Sequence, residues 1–206
     1  MFATRRISTP MAGKMEMAQA RMRTAAGIIS RNGAQDMSMT QILGGHGAGT
    51  MHLYGFFDSM EHMMKVNLNV MADPAWAALM AERESNPSAE VVGPEASRLI
   101  AGQPKPGNTT FLVREYILPR ENMAAAIELI AEAQEMVSAH SMNVTMWAPV
   151  ITADMQRFGV VYSAPDPVTL GKGMDQVGMS DAFQEMLVRA SKLGTLDRSF
   201  GMRLMR

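Results

Sequence analysis

Two arginines, a histidine and two tyrosines are the residues best suited to chemistry: Arg5 and Arg114, His52, Tyr54 and Tyr116, with Arg157 as a further cation. A guanidinium group binds an anionic or carbonyl oxygen through a planar fork of donors. An imidazole moves protons near neutral pH. Tyrosines orient a ring or a carbonyl. The expected site therefore places Arg5, Arg114, Arg157, Tyr54 and Tyr116 around a small-molecule ligand, with His52 as the proton shuttle. The plainer alternative is that the arginines pair with carboxylates such as Glu115, or lie in water at strand ends.

Other chemistries find less support. The chain has no cysteine, which removes disulfides, thiolate metal sites and cysteine nucleophiles. His46, His52 and His62 do not follow a helical i, i+4 ligand spacing, so no metal site is expected. His140 reads as a residue at a helix C-terminus, where the dipole favours it. The Gly44–Gly49 run lacks the Lys-Ser/Thr of a phosphate loop and precedes a strand, so it reads as a flexible hairpin loop. There is no Gly-x-Ser-x-Gly elbow. No resident cofactor is called for.

The elements that position these residues come from a repeat. Gly102-Gln103-Pro104-Lys105-Pro106-Gly107-Asn108 is a linker signal at the midpoint of 206 residues. It divides the chain into residues 1–102, a linker at 103–108, and residues 109–206. The halves open alike, Phe2 to Pro10 and Phe111 to Pro119, with Phe, Arg and Pro at the same offsets. That alignment pairs Arg5 with Arg114 and Ile7 with Tyr116. Each opening is followed by an amphipathic helix, through Met15, Ala18, Met22 and Ile29 in one half and Met123, Ile127 and Ile130 in the other.

Two strand-like runs follow in each half, Asp36 to Leu43 and Thr50 to Phe57, then Asn143 to Ile151 and Met155 to Ser163. On the third strands His52 aligns with Arg157. A second helical region restarts at Asp73-Pro74 and at Ser180-Asp181, where Asp73 and Ser180 suit N-caps. Closing strands run from Ala96 to Ile100 and from Gly201 to Met205. The order β-α-β-β-α-β in each half is the ferredoxin-like split βαβ unit. The fold class is therefore α+β, with two such units packed sheet to sheet as a single-chain α+β barrel.

These strand-proline-helix openings, and the interrupted second helices ending Asp73 to Met80 and Ser180 to Leu187, resemble the dimeric α+β barrel superfamily in its tandem, fused form. The likeness is greatest to the NIPSNAP-type and antibiotic-biosynthesis-monooxygenase-type branches. It implies a barrel that binds a small molecule in its lumen or in clefts beside it. Members include cofactor-independent oxygenases, isomerases, haem enzymes and proteins of unknown role, so the fold does not fix the reaction. The resemblance points first to a cofactor-independent oxygenase or isomerase acting in the lumen, then to a binding or interaction module, and last to a haem protein. It leaves open whether the chain is an enzyme.

Charge and composition bound the partners. Nine basic and nine acidic residues in the first half, and ten and eleven in the second, give a net charge of -1, which argues against a dedicated nucleic-acid binder. No apolar run reaches the roughly 18 residues of a membrane span, and a cytoplasmic location is expected. A homodimer through helices or strand edges stays open. Methionine is abundant, at 23 residues. Most of them, including Met15, Met22 and Met64, lie on apolar stripes and are expected to fill a core. Partner docking and soft copper binding are the rival readings.

Overall fold

The structure, a computed structural model, describes residues 1–205. The element order in the first half is β1 (Phe2–Pro10), α1 (Met15–Arg31), β2 (Asp36–Gly45), β3 (Met51–Phe57), α2 (Met60–Ala72), α3 (Pro74–Ser85) and β4 (Ala89–Ala101). The second half repeats it with β5 (Thr110–Ile117), α4 (Met123–Ser138), β6 (Asn143–Ile151), β7 (Arg157–Ala164), α5 (Pro167–Gly178), α6 (Asp181–Ser191) and β8 (Thr195–Leu204). The strands hydrogen-bond in the order β1-β3-β2-β8-β5-β7-β6-β4 and close into an eight-stranded barrel. The expected α+β barrel of ferredoxin-like units is the fold observed.

The chain forms two compact units. Unit 1 comprises Met1–Ile42, Gly49–Ser97 and the chain from Leu204, and unit 2 comprises Leu43–Ala48 and Arg98–Arg203. In unit 1, Met51, Leu53 and Phe57 of β3 are buried against Ala18, Met22 and Ile29 of α1 and Met63, Val66 and Val70 of α2. In unit 2, Phe158, Val160, Tyr162 and Ala164 of β7 are buried with Ile130, Ala133 and Val137 of α4 and Phe183 and Met186 of α6. Both strand sets show the alternation of a sheet that sends every second side chain beneath helices. Each large apolar side chain fully withdrawn from water contributes roughly 1.5–3 kcal/mol.

The interrupted second helices arise from their caps. Ser59 accepts from the His62 amide, Asp73 from Ala75, Asp166 from Val168 and Thr169, and Ser180 from Phe183. Each cap satisfies an amide that the helix start leaves without a partner, worth about 1 kcal/mol. Asp73 also accepts from Arg31 and Asn32, and these contacts hold its carboxyl below the usual carboxylate range.

Three sequence expectations are corrected. The closing strands β4 and β8 begin at Ala89 and Thr195, well before Ala96 and Gly201. Gly93-Pro94 disguises β4, because proline inside a run argues against a strand. Met64 is 39% exposed, although Met22 is buried and Met15 packs at the margin of the core. Helix α2 is apolar on two faces, and its buried stripe is Met63, Val66 and Val70.

The third correction concerns register. Arg5 pairs with Tyr54 across β1 and β3, so it shares a sheet face with His52 and Tyr54, opposite the helix-packed Leu53. Arg114 and Tyr116 pair with the core residues Val160 and Phe158, so they face the helices of their own unit. Arg5 and Arg114 are therefore not equivalent. On the corresponding face of β5 lie Val113, which occupies the Arg5 position, and Glu115. A one-residue slip moves every side chain to the other face, and aligning the halves on Phe, Arg and Pro introduced that slip. The β5–β8 ladder itself has an irregularity between Glu115 and Tyr116.

Candidate functional site

The six candidate residues fall into three groups. The first lies in unit 1, on the sheet face turned away from the helices. His52 and Tyr54 alternate along β3, and the His52 Nδ1 lies 3.1 Å from the Tyr54 hydroxyl. Tyr54 stacks on Phe56 with ring centroids 6.5 Å apart. Arg5 donates to Glu95 of β4 at 2.7 Å. His52 is only 4% exposed, so its ring is oriented by the strand and by Tyr54. The structure thus brings Arg5, His52 and Tyr54 to one face. It adds Glu95, ninety residues away in sequence, which no local pattern could disclose.

The second group surrounds Arg157 on the β7 face turned away from the helices. Its guanidinium bonds Asp197, donates to Asp154 at 3.1 Å, and lies 3.9 Å from Glu115. Burial works against its charge, but the three carboxylates outweigh burial and raise its pKa. Asp197 is held below the usual carboxylate range, first by its bond to Arg157. Arg157 therefore matches the plainer alternative, an arginine engaged by carboxylates that include Glu115.

The third group lines a cleft of unit 2. The cleft lies between the sheet and helices α4 and α6, with a volume of about 60 Å³. Tyr116, Val160, Tyr162 and Met146 form its sheet wall, Ala126, Leu129, Ile130 and Ala133 its α4 wall, and Met186, Leu187 and Ala190 its α6 wall. The spacing of the α4 residues is i, i+3, i+4, i+7, one helix face. Space remains because Ala126, Ala133, Ala190 and Gly194 meet where longer side chains would close it. A Cβ on Gly194 would stand 2.7 Å from the Ile117 carbonyl oxygen, so the chain end at this wall admits no side chain.

The polar side chains of this cleft are phenols, Tyr116 and Tyr162. Tyr162 is 3% exposed and packs edge-on to Phe183, with centroids 6.4 Å apart. Among the described residues neither Tyr116 nor Tyr162 has a hydrogen-bond partner for its hydroxyl. Arg114 stands with its guanidinium carbon 5.6 Å from the Tyr162 ring centroid, a cation–π contact. Burial, and then the neighbouring Tyr116, push the Tyr162 pKa up to about 12, against a smaller opposing effect of Arg114. Tyr162 thus stays protonated near neutral pH and can donate. Tyr162 was missed by sequence reasoning. Its one signal was a phenol on the β7 face that Phe158, Val160 and Ala164 otherwise fill.

The histidines other than His52 have local roles. The His62 Nε2 lies 2.8 Å from the Gly33 carbonyl oxygen, and the His140 Nδ1 lies 2.9 Å from the Gln176 side-chain oxygen. Among the described residues no group of three or more His, Asp or Glu side chains could hold a metal ion. No helix there is long and apolar enough to cross a membrane.

No protein-family model matches the chain, and no curated protein sequence matches it. Solved structures do. The chain is similar to an anthrone oxidase-like protein, with a TM-score of 0.65 at 9% identity, covering 100% of this chain and 91% of that one. It is similar to a protein of Fusobacterium nucleatum assigned provisionally as a monooxygenase, with a TM-score of 0.62 at 8% identity, covering 100% and 92%. It is also similar to a heme-binding protein of Thermus thermophilus, with a TM-score of 0.57 at 11% identity, covering 100% and 91%. At these identities the likeness establishes the fold alone, that of a single-chain α+β barrel.

The cleft does not fit a haem. It is lined by no imidazole, and its volume is below the ~150 Å³ of an apolar cavity that takes one benzene ring.

Proposed function

We propose that this chain binds a small, largely apolar ring compound bearing one enolic or phenolic oxygen, in the unit 2 cleft, and acts on it as a cofactor-independent oxygenase. One observation carries the reading: two phenol hydroxyls without partners line a cleft that is otherwise apolar. A buried Tyr hydroxyl ordinarily finds a hydrogen-bond partner. A ligand oxygen between Tyr116 and Tyr162 would supply it. The cleft is small, so the oxygen-bearing edge of the ring enters and the rest lies at its open side. Met146 and Met186, flexible side chains, adjust to the fit.

In this reading Tyr162 and Tyr116 donate to the substrate oxygen and stabilise its enolate, and Arg114 adds positive charge nearby. The enolate carbon gives its electron pair to dioxygen and forms a carbon–oxygen bond. The protonated hydroperoxide then loses the remaining hydrogen on that carbon as the O–O bond breaks, so a ring CH2 and dioxygen become a carbonyl and water and no redox cofactor is required. The cleft has no carboxylate or imidazole to serve as base, which favours an acidic substrate deprotonated from solvent and weighs against isomerase chemistry. Of the branches the sequence resembles, this chemistry matches the monooxygenase type. Binding without turnover would match the NIPSNAP type. Arg5, His52 and Tyr54 are retained as a second candidate constellation, with His52 the proton carrier. A cytoplasmic setting goes with either reading.

Calorimetric titration with p-cresol and with toluene tests binding. p-Cresol should bind more tightly than toluene, and Tyr116→Phe/Tyr162→Phe should abolish that difference. Equal affinities in the parent protein would refute the site. Oxygen uptake in the presence of 2-tetralone, an enolisable ring ketone, tests turnover. Binding of p-cresol without uptake of oxygen above the buffer rate would leave a binding protein and remove the oxygenase.

A further inference from the structure

Unit 1 contains two arginines that no carboxylate neutralises. Arg6 lies on the helix-facing side of β1, opposite Leu53, and its guanidinium carbon stands 5.8 Å from the centroid of Trp76 on α3. Trp76, Met80 and Arg83 follow one another at i, i+4 and i+7, a single stripe of that helix. Arg83 Nη1 donates to the Met80 sulfur at 3.5 Å. Both arginines are half-buried. Among the described residues neither makes an ion pair, whereas Arg5, Arg21 and Arg31 of the same unit are paired with Glu95, Glu82 and Asp73. Of the two acids that flank Arg83 in sequence, Glu82 is committed to Arg21, and Glu84 makes no ion pair with Arg83 among the described residues.

Charges drawn out of water are ordinarily paired. Here Arg6 lies by Trp76 and Arg83 by Met80, on the same stripe of α3, with no acid paired to either. Burial first, and then repulsion from Arg83, lower the Arg6 pKa from its ordinary value. The unit thus bears an electrostatic cost that a bound anion would relieve. Arg114, which pairs with Val160 as Arg6 pairs with Leu53, is the β5 counterpart of Arg6.

We propose that Arg6 and Arg83 form an oxyanion site walled by Trp76, taking a small carboxylate or phosphate. The guanidinium forks share the anion's oxygens, and a ring attached to the anion lies against the indole. The site is independent of the unit 2 cleft.

Tryptophan fluorescence provides the test. With Trp147→Phe, Trp76 is the single emitter. Sodium benzoate and inorganic phosphate, titrated separately at constant ionic strength, should each change its emission saturably. Tighter binding of benzoate identifies an aromatic carboxylate as the preferred source of the anion, and tighter binding of phosphate a phosphate. Arg83→Gln should weaken the preferred anion at least about tenfold, and Arg83→Lys by less. Because Arg6→Gln could disturb folding, Arg83→Gln with a parental circular dichroism spectrum is the decisive variant. A linear, unsaturable response to both anions, or an unchanged midpoint in Arg83→Gln, would overturn the proposal.

Discussion

Removing the Tyr162 hydroxyl should not destabilise the protein. The ring is fully used: it is buried, meets Phe183 edge-on, and lies within the sheet–helix core. The hydroxyl makes no hydrogen bond among the described residues. That hydroxyl opens on the cleft rather than being sealed in the core, so its loss removes no hydrogen bond, and the other interactions of Tyr162 are those of a phenylalanine. Tyr162→Phe should therefore change stability at pH 7 by less than about 1 kcal/mol, a shift in Tm of no more than about 2–4 °C for a chain of this size. A second signature appears at high pH. The folded protein holds the Tyr162 proton up to about 12, against a reference value of 10.0. Between those values the folded state binds more protons than the unfolded one, so stability falls as pH rises. Tyr162→Phe should lose that part of the alkaline slope. Urea unfolding from pH 7 to pH 11 measures both effects. A destabilisation of about 1 kcal/mol or more at pH 7 would show that the hydroxyl is satisfied in the free protein, and the proposed ligand contact would lose its basis.

Other expectations follow from packing and charge. At Gly45 the backbone has φ +83°, and a Cβ there would stand 2.3 Å from the Ser199 carbonyl oxygen. Gly45→Ala should therefore cost more than about 2 kcal/mol, whereas Gly44→Ala, with open space around its Cβ, should leave the urea midpoint nearly unchanged. Ala133→Leu should fill the unit 2 cleft and abolish p-cresol binding in calorimetry, with stability altered by less than the binding is. The Asp197 carboxyl, held low by Arg157, stabilises the fold above the ordinary carboxylate range, and that contribution is lost as pH falls through the folded value. Arg157→Met should flatten this acid limb in a pH series of unfolding midpoints.

Much of the architecture was legible because it is written locally. Asp73, Asp166 and Ser180 announce helix starts by chemistry that acts within three residues, and the alternation of β3 and β7 is explicit in Met51-Leu53-Phe57 and Phe158-Val160-Tyr162. What failed was long-range or single-residue. Glu95 reaches Arg5 across ninety residues of chain, a pairing fixed by sheet closure. The face of Arg114 depended on a register that one misplaced residue inverts. Met64 stayed ambiguous because thioethers fit cores and surfaces alike. Tyr162 looked like any strand residue until its hydroxyl was seen to lack a partner.

The composition of unit 1 also bears on how the protein is made. Its sheet includes a hydrogen bond from the Met205 amide to the Met39 carbonyl at 2.8 Å, and its chain resumes at Leu204 after the whole of unit 2. A ribosome that has passed the midpoint has delivered every helix of this unit but not its last stretch of backbone. At roughly 5–20 residues per second, synthesis of the remaining hundred or so residues takes roughly 5–20 s. During that interval β2 waits with carbonyl groups unmatched, a bare strand margin of the kind that invites wrong partners. Domain-by-domain folding on the ribosome is therefore only half available to this barrel, because unit 1 takes in backbone made after the whole of unit 2.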